Sequence, residues 1–71
     1  MDWRQIIESF VNPALAAWGA GKAQEAEVIF KQGLVATGSD GYLALTYAQF
    51  LERHGRLKEA EEMFDLALKK L

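Results

Sequence analysis

Seventy-one residues, 51% of them hydrophobic and 25% charged, with a formal net charge of −2, leave room for one small domain. Without cysteine and with a single histidine the chain cannot build a disulfide framework or a closed structural zinc site, and without a basic stripe it is a poor nucleic-acid binder. No apolar run approaches the roughly 20 residues that span a bilayer, and the acidic start MDWRQIIESF lacks the basic region of a signal peptide, so a soluble, cytoplasmic protein without a membrane partner is expected.

Strand-like alternation is missing and helical spacing dominates. From the first residues Trp3, Ile6, Ile7, Phe10, Val11, Ala14, Ala17 and Trp18 keep helical phase across Pro13, which must cost a hydrogen bond to the Ser9 carbonyl. A kinked helix over 3–19 competes with a break in which Asn12 caps a new helix and Pro13 takes its first position. The unbroken stripe favours the kinked helix.

The next tract, GAGKAQEAEVIFKQGL (residues 19–34), opens like a phosphate-binding loop. The pattern GxxxxGK[ST] is not met, since Ala23 follows the lysine, and no strand precedes the glycines. An interhelical turn is the better reading, leading into a helix over 22–36 whose apolar side carries Ala23, Ala26, Phe30, Gly33 and Leu34. The loop-rich ATGSDG (36–41) then offers a helix stop at Gly38 and N-cap candidates at Ser39 and Asp40. A third helix over 40–54 groups Leu43, Ala44, Tyr47, Ala48, Phe50 and Leu51 on one side, and Gly55 reads as the turn residue after it. The fourth, over 56–71, places Leu57, Ala60, Phe64, Ala67, Leu68 and Leu71 opposite Lys58, Glu59, Glu62, Asp65 and Lys69. The fold class is therefore all-α, with four helices in two antiparallel hairpins.

Laying Gly21 over Gly55 brings Glu25, Ala26, Glu27, Phe30 and Leu34 onto Glu59, Ala60, Glu61, Phe64 and Leu68, all identical, at a constant offset of 34 residues. Lys22 falls on Arg56 and Ile29 on Met63. Each match serves a physical purpose, since the glycine turns the chain, the alanine lets two helices approach, and the large apolar residues fill the space behind.

Candidate chemistry is sparse. His54 has no metal-ligand spacing and suits the C-terminal end of a helix. The pairs Glu25 and Glu27, and Glu59, Glu61 and Glu62, sit in first helical turns, where acids are favoured and solvated faces expected. Ser9 and Ser39 are explicable as helix and cap residues, so no catalytic site, metal or cofactor is expected. Tyr47 and Phe50 are expected in the core.

On Ala48, Leu51, Gly55, Ala60, Phe64 and Ala67, and on the 34-residue period, the chain resembles the tetratricopeptide repeat over about residues 8–71. The segments YAQFLERHG and LKEAEEMFDLAL also resemble the related half-a-TPR variant. Pro13, Gly33 and Gly38 depart from the pattern, and Gly33, where its counterpart is Ala67, suggests a helix passing unusually close. The resemblance implies a single domain over 1–71, with repeat 1 at about 3–37 and repeat 2 at about 40–71 stacked as an α-α superhelix. It implies a protein-interaction module whose groove would present Val11, Leu15, Trp18, Tyr42, Leu45, Gln49, Glu52 and Arg53. The lysine and asparagine positions of the carboxylate-clamp subclass hold Val11, Leu15, Leu45 and Gln49 here, so an apolar partner is expected, either an amphipathic helix or a second copy of the chain. Trp3, Met63, Leu66 and Leu71, without a neighbouring repeat over them, are expected to support self-association as a homodimer or homo-oligomer. The alternative is an excised or designed minimal repeat with a purely structural role.

Overall fold

The computed structural model describes residues 2–70 as four helices: α1 (Trp3–Gly19), α2 (Ala23–Thr37), α3 (Gly41–Arg53) and α4 (Leu57–Lys70). They form the expected all-α pair of hairpins, α1 with α2 and α3 with α4, joined by contacts of α3 with both α1 and α2. The Cα trace spans 35 × 28 × 14 Å, a slab too thin for any helix to be surrounded. The middle position makes α3 the core element: eight of its 13 residues are buried, against Ala60 and Ala67 in α4.

Asp2 starts α1 as its N-cap, its Oδ1 accepting from the Arg4 N–H at 3.3 Å. The helix then runs without a break through Pro13, the course the unbroken stripe favours. Asn12 and Pro13 are both exposed. A carbonyl that loses its partner on this side of the helix can turn to water, so the proline disturbs α1 where the cost is least.

Both hairpin turns close in the same way. After α1 the Lys22 N–H donates to the Ala17 carbonyl at 2.9 Å around Gly21, φ +79. After α3 the Arg56 N–H donates to the Leu51 carbonyl at 2.9 Å around Gly55, φ +75. These are one Schellman-type bond repeated at the 34-residue offset, with glycine at the left-handed position that costs an L residue about 1–2 kcal/mol. Between the hairpins Gly38 is also left-handed, and Ser39 follows it at φ 64 instead of acting as a cap. Asp40 is the N-cap of α3, its Oδ2 accepting from the N–H groups of Tyr42 and Leu43 at 2.9 and 3.1 Å. Its own N–H donates to the Thr37 hydroxyl, which in turn donates to the Gly33 carbonyl at 2.7 Å.

Gly33 is explained by packing. A Cβ there would lie 2.9 Å from Phe10 Cβ and 3.2 Å from Leu43 Cδ1, so α1 and α3 both press on α2 at this point. Beside it Phe30 is fully buried, its ring centroid 5.4 Å from Tyr47 and 5.5 Å from Phe50. Such aromatic pairs add about 0.5–1.5 kcal/mol each beyond the area they bury. Tyr47 and Phe50 are core, as expected.

The apolar stripe expected on the last helix is only partly buried. Ala60 and Ala67 face α3, Phe64 is half-buried, and Leu57 and Leu68 stand 64% and 73% exposed. The reason is geometric: among the described residues the α4 backbone packs along α3 alone, and one neighbour covers a narrower stripe than two. Leu71, grouped with this stripe and with the self-association residues, lies outside the described residues.

Candidate partner-binding surface

Helices α1 and α3 run side by side and leave a cleft at each end. Toward their C-terminal ends, Leu15, Trp18 and Gly19 of α1 face Gln49, Glu52 and Arg53 of α3 across an open cleft of about 540 Å³. Toward their N-terminal ends a second cleft, of about 530 Å³, places Trp3, Ile7 and Glu8 against Tyr42. Matching ends therefore meet matching ends, so the two helices are parallel. Midway between the clefts Val11 is buried and Leu45, its counterpart 34 residues on, is half-buried.

This arrangement corrects one groove position. Val11 is 2% exposed, in line with Ile7 and Ala14 on the side of α1 that enters the core, and it offers nothing to a partner. The other seven positions divide. Leu15, Trp18, Gln49, Glu52 and Arg53 converge on the first cleft, Tyr42 belongs to the second with Trp3, and Leu45 forms the saddle between. Gly19, absent from the expected set, completes the floor of the first cleft because the helix end leaves its backbone uncovered.

Trp18 is held by the core it half leaves. Its ring meets Phe50 edge-on at 5.1 Å and lies 6.0 Å from the ring of His54, which itself packs 4.5 Å from Phe50. His54 is the C-cap residue of α3, its backbone N–H donating to the Phe50 and Leu51 carbonyls, and its ring extends the aromatic row. Leu15, 41% exposed, sits beside Trp18 and forms the apolar wall. The facing wall is polar: among the described residues neither Glu52 nor Arg53 is engaged in an ion pair.

A polar clamp fixes the two hairpins, and with them the groove. The Tyr47 hydroxyl donates to Glu27 Oε2 at 2.7 Å, and Arg56 Nη1 reaches the same oxygen at 2.7 Å while Nη2 pairs with Glu59. Residues from α2, α3, the second turn and α4 are thereby tied together. Glu27 is thus no solvated helix-face acid, contrary to its position in a first-turn pair; its side chain is 20% exposed and its Oε2 takes both Tyr47 and Arg56. Burial alone would raise its carboxyl, but hydrogen bonds from Tyr47 and Arg56 and the charges of Arg56 and Lys31 hold it below the ordinary value. The Tyr47 hydroxyl is pushed well up by burial and then by the Glu27 carboxylate. Arg56 is held more firmly protonated by its hydrogen bonds to Glu59 and then Glu27.

The residues expected to support self-association are placed unequally. Trp3 is 50% exposed. Leu66 is half-buried, and Met63 turns back toward the first hairpin, lining a cleft with Leu34, Tyr47 and Leu51. Among the described residues the large apolar side chains most open to solvent are instead Val35, Leu68 and Leu57. The repeat alignment could have indicated Leu68, since its counterpart Leu34 needs α3 beside it and α4 has no such neighbour.

The family model described as Tetratricopeptide repeat matches residues 17–71. No match was found among curated proteins or among solved structures.

Proposed function

Because the chain belongs to the tetratricopeptide repeat family, whose repeats serve generally as protein-interaction scaffolds, we propose that it binds an amphipathic helical segment of a partner protein in the cleft between the C-terminal ends of α1 and α3. Leu15 and Trp18 receive the apolar side of that segment, and Gln49, Glu52 and Arg53 meet its polar side. The reading rests on one observation: an exposed leucine lies beside a tryptophan that the core already orients, opposite a row of charged and polar side chains. A large aromatic held in place before binding loses little conformational freedom on contact, which is why such residues dominate interface energetics. Gln49 and the apolar Leu15 and Leu45 do not suit a carboxylate clamp, and the role is binding, not catalysis.

The test compares two surface substitutions of equal chemistry. Leu15→Lys lies in the cleft, while Val35→Lys alters an exposed residue of α2. Proteins retained by the immobilised wild-type chain should be lost with Leu15→Lys, by at least tenfold in affinity once purified, and kept with Val35→Lys. Equal retention by both variants, with helical content unchanged, would remove the cleft as the binding site.

A further inference from the structure

On α2, the surface that seats α3 includes Glu27, Phe30 and Leu34, beside Gly33, which Leu43 approaches. Glu27 takes the Tyr47 hydroxyl and the Arg56 guanidinium, Phe30 packs on the rings of Tyr47 and Phe50, and Leu34 borders Tyr47 and Leu51. At the 34-residue offset α4 carries Glu61, Phe64 and Leu68, identical at all three positions, preceded by Leu57 where α2 has Ala23. These four share one face of α4, at helical spacings of four, three and four residues. In α2 Phe30 is buried and Ala23, Glu27 and Leu34 are half-buried. In α4 Leu57 and Leu68 are exposed, Phe64 is half-buried and Glu61 is exposed.

We propose that this face of α4 is a second docking site, distinct from the groove, and that it takes a partner α-helix of the α3 type. The occupant chemistry is legible from the pair already formed within the chain. It comprises a tyrosine whose hydroxyl donates to Glu61, an aromatic residue three positions later against Phe64, and a cation beyond the helix end paired with Glu61 as Arg56 is with Glu27. A second copy of the chain does not present this set. Its own α3 is covered by α2, and the outer positions of α1 that correspond to Leu43, Tyr47 and Phe50 are Ser9, Pro13 and Ala16, all exposed and none large and aromatic. The two outer faces therefore differ: α4 carries the set that suits a helix of this kind, and the outer positions of α1 do not carry the matching one.

The probe is a peptide of residues 39–56 from this chain, SDGYLALTYAQFLERHGR, titrated into the ¹⁵N-labelled full chain. Shifts are expected at the amides of Leu57, Glu61, Phe64 and Leu68, and Leu68→Glu should abolish them. Glu61→Lys should weaken binding at least tenfold, and a peptide carrying Arg56→Glu should recover most of that loss on the Glu61→Lys chain, which no merely apolar association would do. A free peptide must also pay for helix formation. A second measurement therefore appends residues 38–71 again after Leu71, which keeps the 34-residue period. The extended chain should melt at a higher temperature than the original, and Glu61→Lys should remove most of the gain. Leu15→Lys should leave both measurements unchanged, so failure here and failure of the groove are separable. Absence of α4 shifts at millimolar peptide together with no gain in melting temperature overturns the proposal, as do shifts confined to Leu15, Gln49 and Arg53. Concentration-dependent α4 shifts without peptide would identify a second copy as the occupant and overturn the proposal.

Discussion

Gly33 shows how a single missing methyl is set by its neighbours. Alanine improves intrinsic helix stability over glycine by about 1 kcal/mol, so a helix-propensity argument favours Gly33→Ala. The 2.9 Å approach to Phe10 Cβ reverses the sign, because the clashing atom sits next to the α1 backbone and cannot swing aside as the tip of a long side chain could. Gly33→Ala is expected to destabilise by about 1–3 kcal/mol, as overpacked cores do, read from urea midpoints. The anomaly was legible in the sequence, because the repeat set Gly33 against Ala67. The identity of the obstructing side chain was not, since Phe10 and Gly33 meet only when α1 folds back along α2. Val11 shows the same limit in the opposite sense. Its position on the stripe matched a groove residue, yet whether such a residue lines a cleft or the core depends on how closely α1 and α3 approach at mid-length.

At the scale of elements, the helices and turns followed from local chemistry. Gly21 and Gly55 close equivalent turns, and Asp40 caps α3, because these features depend on a few adjacent residues. The course of α1 through Pro13 also followed from phase, since a stripe of apolar residues can be buried by one continuous helix only if its register is kept. Pro13 nevertheless weakens the element it does not break. It is exposed and forms no part of the core, so Pro13→Ala should restore the N–H to the Ser9 carbonyl at little cost in packing. A gain of about 1–3 kcal/mol is expected, up to the usual cost of proline in a helix interior, with slower amide exchange around Asn12 to Ala17. An unchanged midpoint would mean that the surrounding packing had already absorbed the loss. The width of the buried stripe on α4 was not legible at this scale: Leu57 and Leu68 have the right spacing, but burial requires a second neighbouring helix.

For the whole molecule the clamp of Glu27, Tyr47 and Arg56 links stability to pH. Glu27 titrates below the ordinary carboxylate value in the folded chain, so on the acid side the unfolded chain binds more protons. Its contribution is therefore present at neutral pH and is lost as pH falls from the ordinary carboxylate range through the lower folded value. Tyr47 has the opposite sign: its raised hydroxyl pKa favours the folded state until pH rises past about 10, the ordinary phenol value, after which that contribution drains away. Glu27→Gln should cost about 1 kcal/mol at pH 7, allowing for solvent around the pair, and should flatten the fall of the urea midpoint between neutral pH and about pH 3. A variant with the same acid slope as the wild type would exclude Glu27 as its source. The sequence by itself determined the periodicity, the four helices, the turn positions and the family, because these are carried by spacings of a few residues and by one 34-residue repetition. Only the tertiary structure decided that Val11 enters the core, that Glu27 grips Tyr47 and Arg56, and that Leu57, Glu61 and Leu68 stay exposed. Burial and pairing belong to two surfaces at once, and a spacing within one helix describes only one of them.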